Sequence, residues 1–261
     1  MPALASILAE TRTRIAALQG KAGTLAKRAE KAPFGKPFLQ TPGNSVGVIA
    51  EIKRRSPSQG SIRPSLDPIN HARDYERGGA AAISVLTEES HFGGSVDDLK
   101  RVATAVAVPV LRKDFIISEL QILEARLAGA SAVLLITRIL EREQLRILAN
   151  AIRDWKMTPL IEVHDLSELD AAMATDPKVL GVNARDLDTL EMNPGRAEEV
   201  MRRVPPGVTL VAESGVETRQ DVERLAGVGV DFILVGTSVA RQDDPEQAVR
   251  ALTGVQRQPR R

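Results

Sequence analysis

The chain has 261 residues, 43% hydrophobic and 26% charged, with a formal net charge of +1 and no cysteine. That is a globular composition; it excludes disulfides and thiolate chemistry, and the balanced charge gives no reason to expect a nucleic-acid or membrane partner. No apolar run reaches the roughly 20 residues of a membrane span, and the opening residues lack the basic start and apolar core of a signal peptide, so a cytoplasmic protein is expected.

Apolar side chains at Leu4, Ile7, Leu8, Ile15 and Leu18 recur at helical spacing, so residues 4–19 predict an amphipathic helix. A basic, proline-dotted stretch from Lys21 to Pro42 follows, with room for a second short helix and a loop. From Val46 short apolar runs alternate with helical patterns. The runs are Val46–Ile52, Ala81–Leu86, Pro109–Asp114, Ala132–Thr137, Pro159–Val163, Val179–Asn183, Thr209–Glu213 and Phe232–Gly236. Near-continuous apolar runs are how parallel strands buried on both faces read. Pro68–Gly79, Ser118–Gly129, Glu141–Trp155 and Thr218–Gly229 are the clearest helices between them, several ending in glycine. The expected organisation is an N-terminal helical extension (1–45), a barrel (46–253) and a short basic tail (254–261) that frays.

Eight strands alternating with helices close into a barrel or spread as an open doubly wound sheet. A (β/α)₈ TIM barrel is the better reading. Polar residues stand at the C-terminal end of nearly every run, and only a closed barrel brings all those ends to one mouth.

Glu51 and Lys53 are two apart, hence on one face of the first strand. A structural ion pair is the plain alternative to a functional one. Lys113, in "LRKDFI", is a candidate general acid whose pKa burial and cationic neighbours would lower, with Arg112 pointing the other way. Glu162, in "PLIEVHD", sits among apolar neighbours and is a candidate base, expected to be kept ionised by Lys113 and Lys53, or else a salt-bridge partner of Lys113. "AESGV" and "LVGTSV" each put a glycine and a small hydroxyl residue just past the last two runs, where barrels often bind phosphate. Aromatic residues are only 3% of the chain, yet Phe92 and Phe115 both follow strands. They suit a flat apolar ring, with core packing equally open. The three histidines, His71, His91 and His164, fall in no familiar ligand spacing, so no metal is expected.

Together, "IAEIKRRSPS", "SVLTEESHFGGS", "PVLRKDFI", "AVLLITRIL", "LIEVHD", "GVNARDL", "VAESGV" and "LVGTSV" resemble the indole-3-glycerol phosphate synthase family in order and spacing, over about residues 4–252. The resemblance implies a phosphorylated small-molecule substrate, 1-(2-carboxyphenylamino)-1-deoxyribulose 5-phosphate, with no cofactor or metal and a monomer or weak homo-oligomer. It implies Lys113 as general acid, Glu162 as base, and Lys53 as second acid or partner of the substrate carboxylate. Glu51 and Glu213 would hold and tune the lysines, and Asn183 with Arg185 would orient the reacting groups. Ser56 would add a hydroxyl at the anionic end, Ser214, Gly215, Gly236 and Thr237 would hold the phosphate, and Phe92 and Phe115 the anthranilate ring. It also implies an N-terminal extension over the barrel mouth. "NARDL", "LEMNPG" and Thr237 depart from the usual family pattern but leave every proposed acid and base in place. Phosphoribosylanthranilate isomerase would need a cysteine, and histidine-pathway barrels would need aspartates where Lys53 and Glu162 stand. A degenerate binding barrel would have lost Lys53, Lys113 or Glu162.

Overall fold

Eight parallel strands hydrogen-bond in sequence order and the last closes on the first. They are β1 (Gly47–Ile52), β2 (Ala82–Leu86), β3 (Val110–Lys113), β4 (Ala132–Ile136), β5 (Thr158–Val163), β6 (Val179–Asn183), β7 (Thr209–Glu213) and β8 (Phe232–Val235). Each matches an expected apolar run to within one residue at either end. The architecture is a (β/α)₈ TIM barrel, seen in a computed structural model that describes residues 4–39 and 43–260. The last residues of the proline-dotted stretch, 40–42, and Arg261 lie outside the described residues.

The outer ring is α3 (Pro68–Arg77), α4 (Val96–Ala105), α5 (Glu119–Leu127), α6 (Arg142–Asp154), α7 (Leu166–Met173), α8 (Pro194–Met201), α9 (Arg219–Val228), α10 (Thr237–Ala240) and α11 (Pro245–Arg250), preceded by α1 (Leu4–Gln19) and α2 (Ala22–Lys31). Local chemistry starts many of them. Ser95, Ser118, Asp165 and Thr218 each accept a backbone N–H of the first turn, satisfying a donor that the helix leaves unpaired. Asp67, Asn193 and Asp244 do the same ahead of a proline.

Strand alternation divides the core in two. Val48, Ala50, Ile83, Val85, Val133, Leu135, Ile161 and Ile233 face the helices. Ile49, Ala82, Leu111, Leu134, Leu160, Val179, Val211 and Phe232 form a second cluster that fills the lumen. Continuing the inward parity toward the C-terminal ends gives Glu51, Lys113, Glu162 and Glu213. The apolar plug thus carries a charged layer on top.

The extension reaches both ends of the barrel and not the mouth alone. Arg14 of α1 donates to Asp114 just past β3 at 2.9 Å, while α2 packs along α5. Beyond α2 the buried Arg126 donates to the Ala32 carbonyl at 2.5 Å and stacks 4.4 Å from the Phe34 ring. Phe38 and Leu39 then join the lumen cluster, and Lys36 donates to the carbonyl of Val106, ahead of β3 at the base.

The C-terminal tail, expected to fray, is held. Val46 N–H donates to Val255 at 2.9 Å and Arg257 N–H to Asn44 at 2.7 Å. The buried carboxylate of Asp231 pairs with both Arg257 and Arg260. Arg257 and Arg260 thus share a specific anionic partner at the base of β8.

Arg112 does point away from the lumen, yet it is fully buried. Its guanidinium donates to the Gln121 carbonyl at 2.6 Å, to Thr87 Oγ1 at 3.1 Å and to Asp114 at 3.0 Å. Burial would raise the Asp114 pKa, but Arg112 and Arg14 outweigh it and hold the carboxyl below its ordinary range. Removing one partner of a buried pair leaves the other charge uncompensated, at a cost of about 3–5 kcal/mol. Arg112→Met is expected to lose about that much stability in urea unfolding at pH 7. Because the folded pKa of Asp114 is depressed, its contribution is present above the unfolded value and lost as pH falls. The gap between parent and variant is therefore expected to narrow on acidification below about pH 4.

Candidate active site

A cavity of about 330 Å³ opens at the C-terminal ends of the strands, and all fourteen residues singled out in the sequence line it. Its floor is charged. Lys113 Nζ lies 3.1 Å from Glu162 Oε2 and 3.3 Å from Glu213 Oε2. Beside them Lys53 Nζ pairs with Glu51 Oε1 at 2.9 Å, and Ser84 donates to Glu51 Oε2 at 3.2 Å. The ladder explains the meeting: Leu86 pairs with Lys113, Glu162 with Gly181, and Asn183 with Glu213.

Two glycines make this layer possible. A Cβ on Gly181 would stand 2.1 Å from Glu213 Oε1, and a Cβ on Gly236 would stand 2.7 Å from Glu51 Oε1 and 3.1 Å from Lys53 Nζ. The Glu213 carboxylate occupies the space a side chain on β6 would take. Gly236, expected to admit an anion to the backbone, also admits the Glu51–Lys53 pair.

The charges set one another's protonation. Burial alone would lower the Lys113 pKa, but Glu162, Glu213 and Glu51 overcome it and hold the ammonium above the ordinary lysine range. The expected lowering is therefore reversed, because the neighbours across the lumen are carboxylates and not cations. Burial would raise Glu162, but Lys113 and then His164 hold it well below the usual carboxylate range. Lys53, the other cation expected to act on Glu162, is engaged with Glu51 instead. Glu51 is likewise lowered, Lys53 and Lys113 prevailing over burial. Glu213 goes the other way. Burial, with Glu162 opposite, outweighs Lys113 and pushes it up to about 8. Two carboxylates facing one ammonium divide into an ionised Glu162 and a protonated Glu213.

The other walls complete the cavity. Phe92 and Phe115 lie 6.3 Å apart, tilted by 41°. Phe92 is placed by the buried Glu88, whose oxygens accept the N–H groups of Ser90, His91 and Phe92 at 3.1, 2.7 and 2.9 Å. Glu88, His91 and Glu10 converge closely enough for a cation, but Glu88 already spends both oxygens on this turn. Asn183 Oδ1 accepts Arg185 N–H at 3.0 Å, and Arg185 donates to the Leu190 carbonyl at 2.9 Å, shaping the loop 184–193. Leu187, Leu190 and Met192 of that loop form an apolar wall that the sequence did not announce.

At the opposite end Ser214 and Gly215 both have positive φ, 65° and 72°. A serine there costs on the order of 1 kcal/mol or more, the kind of strain found at functional sites. Ser238 ties the two loops by donating to the Val216 carbonyl at 3.0 Å, next to Gly236 and Thr237. Ser56 borders this end from the short ribbon Arg55–Ser56/Gly60–Ser61. So does Arg241, a cation missed in the sequence, one turn beyond Thr237 and bonded to Gln59 at 2.9 Å. The cavity thus joins a charged floor, an aromatic side and a glycine-rich polar end.

The family model of indole-3-glycerol phosphate synthase matches residues 4–252. The chain belongs to that family. It is 46% identical to indole-3-glycerol phosphate synthase 1 of Streptomyces coelicolor, over 90% of this chain and 88% of that one. It is 47% identical to the Nocardioides indole-3-glycerol phosphate synthase (84% of each chain) and 43% identical to that of Mycobacterium ulcerans (95% and 93%). A solved thiamine phosphate pyrophosphorylase from Pyrococcus furiosus shares the barrel with a TM-score of 0.58, covering 79% of this chain and 93% of that one; at 16% identity it speaks for the fold alone. Family membership makes this barrel a carboxy-lyase of tryptophan biosynthesis that forms indole-3-glycerol phosphate. Among the described residues no helix is long and apolar enough to cross a membrane.

The protonation of Glu213 carries a stability signature. Its pKa is raised in the fold to about 8 from an ordinary 4.5, so its contribution is present below the unfolded value and is lost as pH rises through the folded one. Glu213→Gln cannot lose that proton. Urea titrations are expected to show the variant gaining on the parent progressively between about pH 5 and pH 8.

Proposed function

We propose that the floor of this cavity closes the indole ring of 1-(2-carboxyphenylamino)-1-deoxyribulose 5-phosphate, with Lys113 as general acid and Glu162 as base. The observation that carries the reading is the placement of Lys113 between Glu162 and Glu213 on the cavity floor. Lys113 is fully protonated at neutral pH, as a donor to a ketone oxygen must be.

The ring carbon bearing the substrate carboxylate attacks the ribulose carbonyl carbon, and Lys113 delivers a proton to the carbonyl oxygen as the carbon–carbon bond forms. Loss of carbon dioxide returns the electron pair to the ring. Removal of a proton and departure of the new hydroxyl as water then complete the indole. Glu162 takes that proton, and Lys53 stands 2.9 Å from Glu51 as the second acid or the partner of the substrate carboxylate. Glu51 and Glu213 tune the two lysines. Asn183 and Arg185 orient the reacting carbons.

The aromatic pair suits the anthranilate ring. The polar end suits the phosphate: Ser214, Gly215, Gly236 and Thr237 offer backbone donors, glycine allows close approach, Ser56 adds a hydroxyl and Arg241 a positive charge. The reading takes the chain to act in the cytoplasm on a diffusible substrate, as a monomer or weak homo-oligomer, with no cofactor or metal.

A positioned general acid contributes roughly 10²–10⁴-fold. Lys113→Ala is expected to lower turnover by about that factor with the far-ultraviolet spectrum unchanged; near-parental turnover would remove the assignment. Glu162→Gln keeps shape but loses basicity. Single-turnover kinetics that follow carbon dioxide and indole separately are expected to show indole formation slowed by roughly 10²-fold or more, with carbon dioxide release less affected and the Michaelis constant little changed. Equal slowing of both steps with a sharply raised Michaelis constant would make Glu162 a binding residue.

A further inference from the structure

We propose that His164 is a positioning residue for the ring closure: a buried imidazolium that keeps Glu162 ionised and aimed while Lys113 gives up its proton.

His164 follows Glu162 by two residues, so alternation sends both side chains to the same side of the strand line. The imidazole is completely buried. Its Nε2 lies 3.3 Å from Glu162 Oε1, and its Nδ1 lies 3.2 Å from Glu168 Oε2 on α7. The backbone N–H of His164 donates to that same Glu168 oxygen at 2.8 Å. Glu168 is in turn fixed by Arg138, whose Nε donates to its other oxygen at 2.6 Å.

This geometry selects a protonation state. Both ring nitrogens face carboxylate oxygens, and an ionised carboxylate only accepts. A doubly protonated ring hydrogen-bonds Glu168 through Nδ1 and holds its second N–H 3.3 Å from Glu162 Oε1, two buried atoms with no hydrogen-bond partner elsewhere. A neutral ring would aim one lone pair at an anion inside a dry site. The charged groups facing the ring are Glu162 on its own strand and Glu168 on α7. Arg138 stands behind Glu168, and Lys113 on the far side of Glu162. Burial opposes the charge, but the two carboxylates outweigh it and push the imidazole up to about 9.

The arrangement matters during the reaction, and this step rests on the reading of Glu162 as the base. At rest Glu162 Oε2 faces the Lys113 ammonium and Oε1 faces His164. Once Lys113 has protonated the substrate carbonyl it is neutral, and Glu162 loses its main counter-charge. A second cation on the other oxygen keeps Glu162 anionic and fixed for the later proton removal.

Two measurements test this. The chain has only three histidines, so ¹⁵N spectra of histidine-labelled protein can be assigned by the signals lost in His71→Gln and His91→Gln. The expected His164 signal is that of a doubly protonated ring, unchanged from about pH 6 to pH 8. A neutral tautomer at pH 7 would overturn the proposal whatever the activity. In the second measurement, pH profiles of single-turnover indole formation are compared for the parent, His164→Gln and Glu168→Gln. Losing a nearby opposite charge moves a carboxyl pKa by roughly 1–3 units. The acidic limb is therefore expected to move up by about one unit or more in His164→Gln, and in the same direction but less in Glu168→Gln, at an unchanged Michaelis constant. A limb that stays in place while the rate falls equally at every pH would reduce His164 to a packing residue. Should His164→Gln fail to fold, the Glu168→Gln profile and the parent spectra decide the matter. Near-parental activity of Glu162→Gln would overturn the base reading and the catalytic part of the proposal with it, whereas the ¹⁵N spectrum reports on the ring independently.

Discussion

The mouth of this barrel is organised by one ammonium group shared among buried carboxylates. Isolated charges in a dry interior are costly, and pairing offsets the cost only where geometry and further hydrogen bonds are good. Lys113 meets Glu162 and Glu213 directly and lies within the field of Glu51. One lysine cannot neutralise three anions. The remainder is balanced by Lys53 on Glu51, by His164 beside Glu162, and by a retained proton on Glu213. Each protonation state in the site is thus set by the others. Changing one member changes the acid–base character of the rest, and effects of substitutions here will not add.

The same constraint reaches outward. Glu162 leads through His164 and Glu168 to Arg138, and Arg138 holds Asp165 and Asp186, each at 2.9 Å. Asp186 belongs to the loop that carries Arg185 and the apolar residues Leu187, Leu190 and Met192. The wall of the cavity is therefore tied to its floor by a run of ion pairs and not by apolar packing alone. Gly181 and Gly236 do the complementary work: they hold the space that charged side chains on neighbouring strands fill.

Much of this was legible in the sequence, for a physical reason. Strands buried on both faces read as unbroken apolar runs, so the eight strands stood out, and polar residues at their C-terminal ends announced the mouth. Parity alone placed Glu51 with Lys53 and sent Arg112 away from Lys113. What stayed hidden depends on which residues face each other across the lumen. The pKa direction of Lys113 turned on Glu162, Glu213 and Glu51, carboxylates that the curvature of the barrel turns toward it. Gly181 read as one glycine in "LGVN", since its meaning lies in the Glu213 side chain of the next strand. His164 could have been found by extending the parity of Glu162 by two residues. The tail read as frayed because its partner, Asp231, sits at the foot of β8, where the sequence shows only an acid before an apolar run.

The pairing of β1 with β8 joins strands from opposite ends of the barrel sequence, and the tail seals the same seam through Val46 and Asp231. Closing so long a loop is entropically demanding, and pairings between distant segments slow folding. This seam also brings Glu51 and Lys53 against Gly236. A chain with every other strand in place but the seam open would hold Lys113 beside Glu162 and still lack a joined site. Catalytic activity is thus a readout of ring closure in the protein itself, and it switches on only when the last strand finds the first.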